Sequence, residues 1–279
     1  MSTARKRSVQ TLAWDAPRAG RVRGAVWAWA GVLVGAVLAL LLAAPARWLA
    51  ASLAQASAAR LALDQTQGTV WDGSGQLSLR GGIDAPEATT LASRLVWRIR
   101  PVWDAQGPAL TVHWRAACCI PEGWDWRLGW VDGALSLTLG DAHSQWPAGL
   151  LVGLGTPWNT LNLQGQLQLH TLGLQLRWRA GSLRMQGQVR VEALDVGTSL
   201  ATLRPLGSYA LELQGGPTPQ LTLRTLRGAL QLQGQGQWIA GRLRLRGQAR
   251  AEPGAEAALT NLLGVIGRRE GALSVIELG

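Results

Sequence analysis

From residue 159 onward, apolar and polar side chains alternate one by one along much of the chain. Successive side chains of a β-strand point to opposite faces of a sheet, so this alternation predicts strands with one buried and one solvated face. The residues between the apolar positions are mostly Gln, Arg and Thr. The clearest apolar positions are Leu161, Leu163, Leu167, Leu169, Leu172, Leu174, Leu176, Trp178, Leu183, Met185, Val189, Val191, Leu211, Leu213, Leu221, Leu223, Leu230, Leu232, Leu243 and Leu245.

Glycine and proline separate these segments, and glycine also recurs inside them. Breaks at 179–181, 214–217 and 240–241 supply the turn residues that antiparallel hairpins need. Glycine within a strand lets a sheet bend sharply, and such positions are Gly81, Gly165, Gly187, Gly234 and Gly247. We therefore predict a mainly β fold, a curved antiparallel meander, with a half-barrel or groove as one form it can take.

The segment from Asp64 to Gly140 repeats this style less regularly. Residues 68–73 followed by 76–79 predict a strand, a turn and a strand, and the alternation returns at 135–139. Between Trp103 and Trp130 the pattern is too poor to predict elements, and residues 143–155 are predicted as a loop or short helix. Two lobes dividing near residue 147 and one continuous sheet are both compatible with the sequence.

The C-terminal segment changes to a helical period. In residues 256–266 the apolar side chains recur at the spacing of one helix face, which predicts a short helix able to cover the apolar face of the sheet. Gly267 is a plausible stop for this helix, and Arg268 and Arg269 complement its dipole. Residues 272–278 alternate again and predict a final strand.

An uncharged stretch, Gly24 to Ala46, lies between Arg23 and Arg47. A helix needs roughly 20 apolar residues to cross the hydrocarbon core of a bilayer, and this stretch is long enough. The lead before it, residues 1–23, carries Asp15 and six basic residues, which are Arg5, Lys6, Arg7, Arg18, Arg21 and Arg23. Because basic flanks stay in the cytoplasm, we expect a single inner-membrane helix over 24–46 and a periplasmic β-rich domain over 47–279.

A cleaved signal peptide is the alternative to an anchor, since Ala44, Pro45 and Ala46 offer the small residues that a signal peptidase needs. The apolar stretch is, however, longer than the roughly 7 to 15 residues of a signal core, and the basic lead is long for a signal. We therefore favour an uncleaved anchor. Both alternatives place the β-rich domain in the same compartment.

The net charge of +10 changes this picture little. Six of the basic residues belong to the lead, and those of the domain are spaced along the strand pattern instead of forming one patch. Lysine occurs once, at Lys6, and phenylalanine is absent, which indicates a compositional preference for arginine. A nucleic-acid-binding protein needs a clustered basic face or a recognisable motif. We therefore expect no nucleic-acid partner.

Motifs for catalysis, cofactor binding or metal binding are not visible. His113, His143 and His170 are not at metal-ligand spacing with another His or Cys. Ser74 does not lie in the Gly-x-Ser-x-Gly pattern of a nucleophile elbow, and Lys6 is too isolated for a phosphate-binding Walker loop. We expect a protein that is not an enzyme, with no catalytic residue, cofactor or metal site.

Cys118 and Cys119 are adjacent and are the only cysteines of the chain. In an oxidising compartment they can close a vicinal disulfide, or each can pair with another chain. The plainer interpretation is two small residues that are buried or lie in a loop. The sequence leaves these alternatives open.

Several of these segments together carry a resemblance to a known family. They are Gly68–Gly73, Gly153–Leu161, Pro205–Tyr209, Gly228–Gly234 and Asn261–Arg269. In this order and spacing, and with a single N-terminal anchor, they resemble the protein N family of the bacterial type II secretion system. The resemblance implies an accessory component of the machine that moves folded proteins from the periplasm across the outer membrane. It implies other subunits of that machine as partners and supplies no catalytic residues.

Two classes of function follow. In the first, the helix anchors the protein and the sheet docks on periplasmic parts of the secretion machine, with Trp158, Arg242, Arg244 and Arg246 as candidate contacts. In the second, the protein is a lipid-binding or lipid-transfer module, because a curved sheet with one apolar face also resembles the groove of AsmA-like envelope proteins. The two differ in whether the apolar face is covered by the helix at 256–266 or open to a ligand.

Overall fold

The computed structural model describes residues 21–81, 88–156, 158–239 and 242–278. The predicted turn at 240–241 and most of the basic lead lie outside these residues. The helices are α1 Arg21–Leu42, α2 Ala46–Ala56, α3 Trp158–Leu161 and α4 Glu256–Ile266, and a 3-10 helix covers Ala148–Leu154.

The strands make up most of the described chain. They are β1 Leu61–Gly68, β2 Asp72–Arg80, β3 Ala88–Thr90, β4 Leu95–Asp104, β5 Gly107–Ala116, β6 Ile120–Val131, β7 Ala134–Leu139, β8 Ala142–Pro147, β9 Gln164–Arg179, β10 Ser182–Gly197, β11 Gly207–Gly216, β12 Gln220–Gly228, β13 Leu230–Ile239, β14 Arg242–Ala251, β15 Arg268–Glu270 and β16 Leu273–Leu278. The predicted mainly β fold is confirmed.

The chain divides into two compact units between Ala44 and Pro45. In the first unit, α1 occupies most of the stretch predicted to cross the membrane, and its described large apolar side chains are exposed. No helix within the described ranges has the combination of length and hydropathy needed to cross a bilayer.

All strands of the second unit form one open antiparallel sheet. Its order is β1-β2-β4-β5-β6-β7-β9-β10-β11-β12-β13-β14-β16-β15, with β3 paired to β2 and β8 paired to β9. Most neighbours in the sheet are also neighbours in sequence, as in a meander. Strands on both sides of residue 147 belong to this one sheet.

Five hairpins turn at the same end of the sheet because neighbouring strands alternate in direction. These hairpins are β4–β5, β6–β7, β9–β10, β11–β12 and β13–β14. The β1–β2 turn points the same way. Asp72, the first residue of β2, pairs with Arg98, whereas Gly75 pairs with Leu95 at the start of β4. The turn before Asp72 is therefore on the side of the β4–β5 hairpin. We call this side of the sheet the hairpin end.

Three elements differ from the sequence-based expectation. The segment between Trp103 and Trp130, for which no element was predicted, contains β5 and β6. The prediction of a loop or short helix over residues 143–155 is partly wrong, because β8 extends to Pro147 before the 3-10 helix. Arg268 and Arg269, expected only to follow the helix, form β15 with Glu270 and pair with β16.

Two of the predicted strand glycines lie at irregularities of the ladder. The register between β9 and β10 shifts between Gln186 and Gln188, where Gly187 has φ +86°. It shifts again between Leu194 and Gly197, where Gly165 of β9 approaches the Leu194 carbonyl with φ +117°. Both conformations favour glycine, and such bulges increase the local twist of a sheet.

The apolar face of the sheet carries two core clusters. The first surrounds Trp97, which is fully buried, and α2 packs against it. The second lies under α4, whose Leu259, Leu262 and Leu263 are buried in one cluster with inner-face residues of β11, β13 and β14. The helix itself contacts β14, β15 and β16. The predicted helix over 256–266 is confirmed, and it covers part of the apolar face as expected.

Candidate functional site

Between α4 and the sheet lies an apolar cavity of about 520 Å³. Its floor consists of inner-face side chains of β9 to β13, such as Leu167, Ala193 and Leu211. Its roof includes Leu262 and Ile266 of α4, and the 3-10 helix and α3 close its flank. Because the apolar residues of the alternating strands share one face, the side chains of the cavity wall are apolar except for two that carry a hydroxyl group.

The two exceptions are Thr198 and Tyr209, and both hydroxyls are already bonded. The Thr198 hydroxyl donates a hydrogen bond to the Leu161 carbonyl. The Tyr209 hydroxyl donates to the Leu230 carbonyl over 3.1 Å, and burial raises the pKa of Tyr209 well above its usual value. The described wall thus offers no spare hydroxyl proton to a ligand, so a ligand held here would be recognised by its apolar surface.

The size of the cavity indicates that it does not remain an empty, closed void. Large-to-small mutations show a cost of about 24 cal/mol per Å³ of residual cavity, so a closed void of this size would cost on the order of 10 kcal/mol. That is comparable with the whole stability of a domain, about 5–15 kcal/mol. The cavity is therefore either open to solvent or occupied by a ligand. Trp158, which is 37% exposed, is the most exposed of the lining residues.

The candidate contact residues occupy separate places. Trp158 begins α3 and lines the cavity. Arg242, Arg244 and Arg246 alternate with less exposed residues along β14, so all three project from the same exposed face. Arg246 Nε lies 3.9 Å from a Glu277 carboxylate oxygen. Among the described contacts, none joins Trp158 to these arginines.

The adjacent cysteines lie in the tight turn between β5 and β6, and their sulfur atoms are bonded to each other. Cys119 is buried and Cys118 is exposed. The Cys118 amide donates to Ser93 Oγ over 3.1 Å, and the Cys119 carbonyl accepts from the Gln145 amide over 2.9 Å. The pair therefore connects the β5–β6 turn to two other segments.

A histidine pair was not anticipated from the sequence. His143 of β8 lies directly opposite His170 of β9, and their rings are 4.3 Å apart. Its detection requires the strand β8, which the sequence pattern did not reveal. The described residues contain no group of three or more His, Cys, Asp or Glu side chains placed to hold a metal ion.

Comparison with known proteins gives a family for the chain. A family model described as type II secretion system protein N matches residues 59–275. This match covers nearly all of the sheet and α4. No curated protein and no solved structure matches the chain. With a match over most of its length, the chain belongs to the type II secretion system protein N family, as the sequence resemblance suggested.

Proposed function

We propose that the protein is a non-enzymatic accessory component of the type II secretion system, anchored in the inner membrane with its β-rich domain in the periplasm. It takes part in the export of folded proteins across the outer membrane. The observation that carries this proposal is the family match over residues 59–275.

The anchor and the compartment are supported by the sequence. Residues 24–46 carry no charge over a length sufficient for a membrane span. Six basic residues precede that stretch and favour a cytoplasmic N-terminus. The vicinal cysteine pair, Cys118 and Cys119, suits an oxidising compartment.

Docking on other secretion subunits uses exposed features of the sheet. An unpaired strand edge can accept a strand from a partner, and β1 and β15 end the described sheet. Arg242, Arg244 and Arg246 present three like charges on one face of β14, near β15 in the sheet. This arrangement suits a partner surface that carries carboxylates.

Deletion of the gene in its own bacterium tests the proposal. We expect secreted enzymes to accumulate in the periplasm and plasmid-borne protein to restore their export. A variant with Arg242→Glu, Arg244→Glu and Arg246→Glu should restore less export than the wild type. A matched variant with Arg100→Glu, Arg115→Glu and Arg204→Glu, all exposed and outside β1, β14 and β15, should restore it fully. Normal secretion without the gene would contradict the proposal.

The cavity favours a second candidate function, lipid binding. A site of about 520 Å³ lined by apolar side chains falls in the size range of ligand pockets, about 300–1,000 Å³. An alkyl chain needs no hydrogen-bond donor, which matches the occupied hydroxyls of Thr198 and Tyr209. In this function the protein holds or transfers a lipid of the envelope.

Mass spectrometry of lipid extracted from the purified full chain tests this second function. Ala193 faces the cavity, so Ala193→Phe should reduce the amount of bound lipid. Ala105→Phe introduces the same side chain in the exposed β4–β5 turn and should leave bound lipid unchanged. Equal lipid in both variants would show that the lipid binds elsewhere. Protein free of lipid, with secretion lost on deletion, would leave the secretion role as the supported function.

A further inference from the structure

Four hairpins at the hairpin end carry a tryptophan at the same position. Trp103, Trp130, Trp178 and Trp238 are each the penultimate residue of the strand that leads into a turn, in β4, β6, β9 and β13. In the sequence, three of these tryptophans are followed by glycine three residues later and Trp103 four residues later. We call these four residues the tryptophan rim.

The tryptophan rim continues the apolar face of the sheet. Trp130 and Trp178 both lie directly opposite Leu135, so the two indoles share one row across three neighbouring strands. Side chains separated by an even number of residues in a strand share a face. Trp103 therefore lies on the same face of β4 as buried Trp97, and Trp130 lies on the same face of β6 as Trp126. Trp97 and Trp126 both belong to the first core cluster. The rim therefore extends the core face to the hairpin end.

The rim is uncovered in the described structure. Trp103 is 80% exposed, Trp130 58%, Trp178 38% and Trp238 37%. The other exposed tryptophans described in the second unit are Trp48 and Trp158. Trp103, Pro108 and Leu128 also line a shallow apolar depression of about 470 Å³. Exposed apolar surface gathered at one end of a protein indicates a binding surface.

The charges beside the rim are mostly positive. Arg179 and Arg184 are exposed in the hairpin that carries Trp178, and neither forms an ion pair with a described residue. Of the acids near the rim, Asp104 is bound by Arg127 over 2.6 Å, and Asp132 is exposed. Unpaired arginines beside exposed indoles match the anionic, half-apolar headgroup layer of a bilayer.

The proposed anchor also joins the second unit by a short connection. Its uncharged stretch ends at Ala46, and the neighbouring Pro45 forms a bridge with Thr69 in the β1–β2 turn. An anchor over 24–46 would therefore keep this unit within a few residues of the bilayer surface.

From this placement we infer that the tryptophan rim and its arginines bind the anionic phospholipid surface of the membrane that holds the anchor. The indoles insert at headgroup level, and the arginines contact lipid phosphates. The inference uses the anchor proposed above and does not depend on a role in secretion. In this arrangement the hairpin end of the sheet faces the bilayer, and α4 lies away from that end.

Lipid quenching of a fluorophore tests this orientation. The full chain is reconstituted in vesicles of phosphatidylcholine and phosphatidylglycerol that contain a headgroup-nitroxide lipid. Ala105→Cys places a labelled thiol in the β4–β5 turn, and Glu252→Cys places one just beyond the opposite end of β14. Cys118 and Cys119 are bonded to each other, so the introduced thiol takes the label. We expect loss of fluorescence at position 105 and little loss at 252.

Variants of the tryptophan rim test which side chains hold the hairpin end at the bilayer. With the label at position 105, Trp130→Ser combined with Trp178→Ser should reduce quenching. Val96→Ser combined with Val265→Ser, two exposed apolar residues outside the rim, should not. Vesicles of phosphatidylcholine alone should quench less, because the arginines lose their anionic partners. Equal quenching in these vesicles would overturn the part assigned to the arginines.

The membrane-bound rim and the membrane anchor can be contradicted by different results. Equal quenching at positions 105 and 252, or none at 105, would show that the rim does not bind the bilayer. A rim left unquenched in membrane-inserted protein would be free to bind an apolar partner protein instead. Release of the protein by alkaline carbonate would contradict the anchor, while quenching at 105 by added vesicles would still support the rim.

Discussion

His143 of β8 and His170 of β9 are direct cross-strand partners, with their Nδ1 atoms 3.2 Å apart. On the other side of His170, Arg190 of β10 is its direct partner, and Glu192 lies nearby on the same strand. Burial lowers the pKa of His170, and the neighbouring His143 and Arg190 lower it further, whereas Glu192 opposes them. The pair therefore favours the neutral form of His170.

Acidification should destabilise the protein partly through this pair. Because the pKa of His170 is lower in the folded than in the unfolded chain, the unfolded chain takes up the proton first as pH falls. Stability is unaffected well above the usual pKa of histidine and is lost as pH falls toward the folded-state value. Denaturant unfolding of wild type and His170→Gln at about pH 8 and about pH 5 measures this. The variant should lose less stability, and an equal loss would contradict the assignment.

Trp97 should be a major source of stability in the first core cluster. Its side chain is fully buried, and its indole N–H lies 3.1 Å from the Val70 carbonyl and 3.3 Å from the Thr69 carbonyl. Truncation of a buried Trp to Ala costs about 3–5 kcal/mol. Trp97→Ala should therefore lower the free energy of unfolding by about this amount, whereas surface changes such as Trp103→Ala stay within about 0.5 kcal/mol. Denaturant unfolding in detergent-solubilised protein compares the two, and similar losses would refute the burial assignment.

Gly187 should tolerate no side chain. It has φ +86°, and a Cβ placed there would overlap the Gly173 carbonyl across the ladder. We expect Gly187→Ala to cost about 1–2 kcal/mol from the left-handed backbone and about 1–3 kcal/mol more from the clash. Gly181 has φ +78° with no atom near such a Cβ, so Gly181→Ala should show only the backbone part. Equal melting temperatures of the two variants would show that no clash exists.

The sequence predicts much of the sheet because its signal is local. From β9 to β14, alternation is regular and Gly or Pro separates the strands, so the elements follow from period and turn residues. The helix α4 follows from its change of period. In contrast, β5 and β6 meet at a turn built around Cys118 and Cys119 without Gly or Pro, which removes the usual signal for a hairpin.

The cavity and the tryptophan rim depend on long-range placement, which alternation does not reveal. Leu167 and Leu174 read alike as inner-face residues, yet Leu174 is buried in the first core cluster and Leu167 lines the cavity. Whether an inner-face side chain is buried or lines a cavity depends on which element, if any, covers that part of the sheet. Likewise, Trp97 and Trp103 share a strand and a face, and only the position of the turn leaves Trp103 uncovered.

Ala193 gives the sharpest test of whether the cavity is occupied. It lies directly between Leu167 and Tyr209 of the neighbouring strands, and all three residues line the cavity. In protein stripped of lipid, Phe at this position replaces empty volume by apolar side chain, and cavity filling commonly adds about 0.5–2 kcal/mol of stability. Ala193→Phe should then unfold at higher denaturant concentration than wild type, with Ala105→Phe unchanged as the control.

In protein that holds an alkyl chain, Ala193→Phe should lower the stability instead of raising it. The new phenyl ring competes with the ligand for volume, so the stabilisation that the ligand gives to the folded state is reduced. Unfolding of wild type and Ala193→Phe, each before and after lipid is removed, measures both signs in one experiment. A substitution that destabilises the stripped protein would show that packed side chains already fill this space.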